Sequence, residues 1–203
     1  MTETYYQLEK KQLNSLKKKE KILLHSCCAP CSSHVISYLT NYFDITILYY
    51  NPNIAPIEEY NKRKAEQIRL INSIETKNSI SIIDCDYDGN IYDEKVKGFE
   101  SCPERGERCT ICFKLRLEKT AEIAKKNGFK YFCTTLTVSP YKNANLINEI
   151  GVDIAKKYNL IWLYSDFKKE NGYKHSIELS KKYNLYRQNY SGCIYSKRKN
   201  MEE

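Results

Sequence analysis

The amino-acid sequence predicts an α/β fold in which a parallel sheet of about five strands has helices on both faces. Short apolar runs of strand length alternate along the chain with longer stretches of helical periodicity. Because a parallel connection needs a crossover, which is usually a helix, this alternation favours a parallel sheet. The residues after each run are polar, thiol-bearing or turn-forming, which is typical of a ligand-binding edge at the carboxyl ends of strands.

The predicted strands are short runs rich in Ile, Leu, Phe and Tyr. They cover residues 22–25, 45–50, 80–85, 131–135 and 161–164. The predicted helices cover residues 30–41, 57–76, 92–100, 110–126, 143–158 and 174–183. We expect residues 21–203 to form a single α/β domain and residues 1–20 to be a charged lead-in or a flexible tail.

The composition is that of an ordinary soluble globular protein, with 41% hydrophobic and 29% charged residues. No apolar run approaches the roughly 18 residues that a membrane span needs. The N-terminal segment is polar and lacks the features of a secretory signal, so we expect a cytoplasmic location and no membrane partner. Lys and Arg together exceed Asp and Glu by eight, since 33 − 25 = 8, and this surplus favours a polyanionic partner such as RNA.

Nine cysteines in a chain expected to lie in a reducing compartment point to metal binding or redox chemistry. Cys27 and Cys28 follow the first predicted strand, and Cys109 and Cys112 form a C-x-x-C at the start of a predicted helix. These four thiolates suit either a structural zinc ion or an iron–sulfur cluster, and we favour a metal centre at the carboxyl edge of the sheet. Cys133 lies within the fourth predicted strand and is interpreted as a core residue.

The C-x-x-C pair is expected to ionise more readily than free cysteine. A helix N-terminus carries partial positive charge, and Arg105 and Arg108 lie nearby in sequence. We therefore predict that the pKa values of Cys109 and Cys112 are lowered.

Two alternative functions use the same residues. The four thiolates could hold zinc in an RNA-binding module without catalysis, or the chain could be a tRNA sulfur-transfer enzyme that uses ATP. The second alternative needs a phosphate-binding loop after the first strand, but the sequence contains no G-x-G-x-x-G or G-x-x-x-x-G-K-[ST] motif.

Seven ordered segments resemble the epoxyqueuosine reductase QueH family, over residues 21 to about 196. They are "LLHSCCAPCSS", "YYNPNIAPIEEYNKR", "CDYD", "PERGERCTICFKLRLEKTA", "TTLTVSPYKN", "DFKK" and "LYRQNYSGCIYS". The resemblance implies a fold similar to the adenine-nucleotide alpha-hydrolase (HUP-like) proteins, which would make residues 21–203 a catalytic domain. It also implies the last step of queuosine biosynthesis, in which the epoxide oxygen of epoxyqueuosine is removed reductively at the wobble position of tRNA anticodons.

The resemblance extends to cofactors and partners. By matching positions, Cys27, Cys28, Cys109 and Cys112 are the expected ligands of a [4Fe-4S] cluster, with an additional iron ion close by. Family members can carry Asp at the position of Cys31, so this thiol is the residue expected at the second metal. The implied partners are tRNA carrying epoxyqueuosine and an external electron donor.

One position departs from the family pattern. Family members typically carry Cys-Gly-Cys in the tail segment, whereas this chain has Ser191-Gly192-Cys193. A disulfide between these two positions is therefore excluded. Either Cys193 works with another thiol, with Cys31 and Cys102 as candidates, or the pair is dispensable, or the serine was introduced by mutation.

Further substrate roles are expected for residues close to the strand ends. An iron centre would supply electrons and polarise the C–O bond of the epoxide. Protons, or contacts to the cyclopentane hydroxyls, are expected from Asp84, Asp86, Tyr141 and Asp166. Lys142 and Arg187 are expected to bind the tRNA backbone, so that affinity falls with salt.

Overall fold

The computed structural model of the chain describes residues 3–197, and its core is a five-stranded sheet. The spatial order is β3-β2-β1-β4-β5, and all four neighbouring pairs are parallel. The strands are β1 (Glu20–His25), β2 (Phe43–Tyr49), β3 (Ser81–Asp84), β4 (Tyr131–Thr134) and β5 (Ile161–Trp162). The predicted parallel sheet is confirmed, while its narrower relation to the adenine-nucleotide alpha-hydrolase proteins stays a prediction.

Helices cover both faces of the sheet, as predicted. They are α1 (Tyr5–Asn14), α2 (Ala29–Leu39), α3 (Ile57–Ser73), α4 (Gly89–Lys95), α5 (Glu107–Lys126), α6 (Ala144–Tyr158), α7 (Gly172–Lys182) and α8 (Ile194–Lys197), with a 3-10 turn at Thr135–Val138. Side chains alternate along β1, so that Ile22 and Leu24 pack in the core shared with α1, α2 and α3. Leu23 packs on the other face, in the core shared with α5 and α6.

The first helix belongs to the segment expected as a lead-in or tail. Thr4 and Gln7 form a capping box at its N-terminus, and Leu13 packs in the core. The buried carboxylate of Glu9 accepts a hydrogen bond of 3.0 Å from the backbone N–H of Asp166. Residues 5–14 are therefore packed against the sheet. Within residues 3–197, no helix is long and apolar enough to cross a lipid bilayer.

The strand order places a crevice in the middle of the carboxyl edge. From β1 the chain builds β2 and β3 on one side and then crosses to build β4 and β5 on the other. Such a switch point between neighbouring strands leaves room for a ligand outside their carboxyl ends. The ends of β1 and β4 are level, since His25 pairs in register with Thr134.

Candidate metal centre and adjoining cleft

Three thiols come together at the end of β1. The sulfur atoms of Cys27, Cys28 and Cys31, here called the turn thiols, all lie within 4.8 Å of one another. Cys28 is the residue before α2 and has an extended backbone, and Pro30 lies in the first turn of that helix. The backbone N–H of Cys27 donates to the Thr135 hydroxyl over 3.1 Å, which holds the turn against the end of β4.

The turn thiols differ in acidity because they share hydrogen bonds. The pKa of Cys27 is lowered well below that of a free thiol, chiefly by the hydrogen bond from Cys28 and then by that from Cys31. The pKa of Cys28 is raised to about 11 because its proton is held against the Cys27 sulfur, and that of Cys31 is also raised. The group thus behaves as one thiolate stabilised by two thiols. Such an all-sulfur donor set fits a thiophilic metal ion or an iron–sulfur centre.

Cys109 and Cys112, here called the helix thiols, lie at the start of α5 and line a cleft of about 460 Å³. The sulfur of Cys109 accepts from the backbone N–H of Arg105 over 3.3 Å. Contrary to the prediction from helix polarity, the pKa values of both thiols are raised, and burial is the main cause. The guanidinium of Arg108 donates to the backbone carbonyls of residues 99, 100 and 102.

Cys31 connects the two groups. The turn thiols line a small cavity of about 40 Å³, and Cys31 also lines the larger cleft with the helix thiols. Five further residues line both spaces, namely Asn53, Arg116, Lys142, Gln188 and Ser191. Among the described residues the helix thiols are not part of the group within 4.8 Å, so their assignment as ligands of the same centre stays a prediction.

A buried hydrogen-bond chain, here called the clamp, joins α5 to the turn that carries Cys27. Arg116 Nη2 donates to Asn51 Oδ1 over 2.6 Å, and Asn51 Nδ2 donates to the Ser26 carbonyl over 2.8 Å. Arg116 also donates to His25 Nε2 and lies 3.9 Å from the Cys112 sulfur. Burial, followed by the Arg116 charge, lowers the pKa of His25 to about 3 and keeps the ring neutral.

Arg116 has no carboxylate partner in the part of the chain that the structure describes. Its side chain is only 4% exposed, and a buried cation is costly without an anion. The thiolates at Cys27 and Cys112 are the nearby anions that can balance it, and Arg116 lowers the pKa of each. Sequence reasoning missed this residue. Its signal was the spacing of four residues from Cys112, which puts both on one helix face.

Other predicted site residues divide into two sets. Tyr141, Lys142, Arg187 and Cys193 line the 460 Å³ cleft. The sulfur of Cys193 lies 3.1 Å from the Tyr92 hydroxyl. Of the two thiols considered as its partners, Cys31 lines this cleft, whereas Cys102 lines neither cavity.

The three predicted aspartates line neither cavity. Asp84 is exposed and pairs with Lys64, Asp86 is exposed, and the Asp166 carboxylate accepts from Lys168. The strand order explains this, because β3 and β5 are the two edges of the sheet while the crevice lies at β1 and β4. The geometry gives no support to a substrate role for these carboxylates.

Comparison with known proteins gives one family. The model of the family described as "Epoxyqueuosine reductase QueH" matches residues 22–199. A relative of that name from Streptococcus pyogenes serotype M1 is 44% identical over 180 residues, covering 88% of this chain and 71% of the relative. The relative from Staphylococcus epidermidis is 46% identical over 182 residues, covering 88% and 76%. The relative from Thermotoga maritima is 34% identical over 178 residues, covering 86% and 89%.

Among solved structures, the Bordetella bronchiseptica enzyme WbmH in complex with NAD+ is 13% identical, with a TM-score of 0.34 over 70% of this chain and 53% of that one. This likeness is too low to support an argument. The family match and the identities to the relatives cover nearly all of the described residues, including both thiol groups. The chain therefore belongs to the epoxyqueuosine reductase QueH family.

Proposed function

We propose that this chain reduces epoxyqueuosine to queuosine at the wobble position of tRNA anticodons, in the cytoplasm. The observation that carries the proposal is the match of the whole α/β unit to the reductase family. The site agrees with this role, since thiols line a cleft within the size range of small-molecule sites. Electrons would come from an external donor.

The turn thiols and helix thiols are proposed to hold a metal centre in this cleft. We propose Cys27, Cys28, Cys109 and Cys112 as ligands of a [4Fe-4S] cluster, with Cys31 next to an additional iron ion. When bound, such a centre supplies electrons one at a time and a Lewis acid for the departing oxygen. The proposal is supported by the convergence of the turn thiols and by the cation of Arg116, which would balance thiolate charge.

The remaining cleft residues would bind and orient the substrate. Phe113 and Leu146 provide apolar walls that exclude water from the reacting ring. Lys142 lines both cavities and lies close enough to lower the pKa of Cys27, so its charge faces the reacting end. Arg187 lies on the larger cleft, where it would contact phosphate.

The mouth of the cleft has the chemistry expected of an RNA contact. Tyr141 is 66% exposed, and every other aromatic side chain of residues 3–197 is buried or half-buried. The guanidinium of Arg105 lies 5.9 Å from its ring centroid. We propose that a base next to the modified nucleoside stacks on Tyr141, because exposed aromatic rings beside cations are the usual platform for unpaired bases.

The proposed activity is tested by incubating the anaerobically reconstituted protein and a chemical reductant with tRNA that contains epoxyqueuosine. We expect a nucleoside lighter by one oxygen atom, identified by mass as queuosine. Cys27→Ser and Cys112→Ser should abolish conversion, while the matched variant Cys133→Ser, which replaces a thiol in the core away from the cleft, should retain it. Absence of conversion by the iron-loaded wild-type protein would contradict the proposal.

The alternative of a zinc-stabilised RNA-binding module uses the same thiols. It predicts a colourless protein that binds zinc, binds tRNA and leaves epoxyqueuosine unchanged. The reductase proposal instead predicts a brown protein that contains iron and sulfide after anaerobic purification. Analysis of the metal content, together with the conversion assay, separates the two.

A further inference from the structure

Two buried oxygen atoms at the junction of the cavities have no hydrogen-bond partner. They are Asn53 Oδ1 and Gln188 Oε1, and the structure gives neither of them a donor. Both residues line the small cavity beside the turn thiols and also the larger cleft. The Asn53 residue is only 4% exposed. Buried acceptors are nearly always paired, so two orphans that share one cavity wall indicate a ligand that brings hydrogen-bond donors.

These two amides come from segments that are fastened together. The backbone N–H of Ala55 donates to the Gly192 carbonyl over 3.0 Å, and the Tyr190 hydroxyl donates to the Ala55 carbonyl over 2.7 Å. Gly192 has φ +102°, and a Cβ atom at this position would lie 2.8 Å from Ile54. The loop that carries Asn53 and the tail that carries Gln188 are thus in close contact. The two acceptors are held in place before a ligand arrives.

We infer that Asn53 and Gln188 recognise the hydroxyl groups of the substrate's cyclopentane ring by accepting their hydrogen bonds. This inference rests on the proposed function and names residues that determine its specificity. A hydroxyl is a donor, whereas an epoxide oxygen has no hydrogen to donate and cannot satisfy either amide oxygen. The hydroxyl edge of the ring therefore faces Asn53 and Gln188, and the epoxide edge faces away from them.

The small cavity fixes which way the epoxide edge points. Its walls are the turn thiols, the two amides, and cationic side chains that include Arg116 and Lys142. With the hydroxyls on the amides, the epoxide lies toward the sulfur atoms and the cations. Recognition of the hydroxyls would thus set the orientation of the reacting bond, which makes Asn53 and Gln188 positioning residues rather than catalytic ones.

The inference predicts a preference between ligands that differ only in the ring. Sites built to bond a hydroxyl discriminate strongly against an analogue without it, because the analogue leaves the buried acceptors unpaired. We expect the wild-type chain to bind queuosine nucleoside at least about 10-fold more tightly than an analogue whose cyclopentene ring and hydroxyls are replaced by hydrogen. Queuosine carries the hydroxyls but no epoxide, so the comparison needs no turnover.

The experiment measures both dissociation constants by equilibrium dialysis against the full chain, kept reduced and free of oxygen. Asn53→Leu and Gln188→Leu should each reduce the preference by about 10-fold while the affinity for the ring-less analogue stays unchanged. Asn148→Leu is the matched control. Asn148 is also a fully buried amide, but all its bonds are satisfied and it lines neither cavity. This control should keep the full preference despite its lower stability.

The outcomes distinguish this inference from the proposed function. If both leucine variants keep the wild-type preference while the wild-type protein converts epoxyqueuosine, the inference is wrong and the proposed function stands. If the wild-type chain shows no preference for queuosine, the inference is also wrong. If the preference depends on the two amides but no conversion occurs, the hydroxyl site stands and the proposed reduction fails.

Discussion

Replacing Asn51 with leucine should break the clamp between the two thiol groups. Asn51 is fully buried, accepts from Arg116 over 2.6 Å and donates to the Ser26 carbonyl over 2.8 Å. Leucine has a similar shape but makes neither bond. It leaves a guanidinium without its closest acceptor and a carbonyl without its donor.

The size of the effect follows from these two bonds. A hydrogen bond to a charged group contributes about 1.5–3 kcal/mol, and leaving a buried neutral polar group unpaired costs about 1–3 kcal/mol. Asn51→Leu should therefore lower the free energy of unfolding by about 3–5 kcal/mol. Urea unfolding under reducing, oxygen-free conditions measures this change, and a constant slope of free energy against urea shows that only stability has changed.

A second measurement ties the clamp to the site. We expect Asn51→Leu to weaken binding of Cd²⁺, a thiophilic probe ion detected by its thiolate absorbance, by at least about 10-fold, because the turn and α5 lose their fixed separation. Asn148→Leu breaks four hydrogen bonds beside β5 and should lose at least as much stability while leaving Cd²⁺ affinity unchanged. The reasoning is refuted if Asn51→Leu loses less than about 1 kcal/mol, or if both variants bind Cd²⁺ like the wild type.

Three further predictions concern other parts of the fold. Burial raises the pKa of Glu9 to about 7, so the folded state keeps a proton that the unfolded state releases, and stability should fall by about 3 kcal/mol as pH rises through this pKa; Glu9→Gln should remove that fall in urea titrations at pH 5 and 8. Gly192→Ala should destabilise more than Gly98→Ala, since both glycines have positive φ but only Gly192 has a close neighbour; equal unfolding midpoints would contradict this. Lys142→Gln should reduce the slope of log affinity for tRNA against log salt by about 1, and an unchanged slope would exclude a phosphate contact.

The sheet and its helices were predictable because the periodicity of the sequence changes clearly between strands and helices. The boundaries were less so where a single residue decides them. The fourth helix was predicted to reach residue 100 but ends at Lys95, three residues before Gly98, whose φ of +87° is left-handed. The fifth strand was predicted to reach residue 164 but ends at Trp162, where its pairing with β4 stops.

The site was predictable where residues follow a strand directly and unpredictable where strand order matters. Cys27 and Cys28 lie at the expected edge, but Cys31 was set apart from them although Cys28 and Cys31 have the C-x-x-C spacing that brings two sulfur atoms together at a helix start. The roles given to Asp84 and Asp166 assumed that all strand ends are equivalent. Nothing in the sequence states that β3 and β5 lie at opposite edges, far from the central crevice.

The clamp was missed for a different reason. Asn51 and Arg116 are 65 residues apart and touch only after β2 and α5 have packed on the sheet. A buried arginine cannot be recognised from sequence, because most arginines are on the surface. Its burial next to sulfur atoms becomes visible only in three dimensions.

The central claim is that the turn thiols and helix thiols serve one metal centre in one cleft. The most direct test is the iron and acid-labile sulfide content of anaerobically reconstituted wild-type protein compared with Cys28→Ser and Cys112→Ser, one variant from each group. The account predicts that the wild type retains both elements and that each variant loses most of both. Full retention of iron and sulfide by Cys112→Ser would contradict it, since the helix thiols would then take no part in holding the centre.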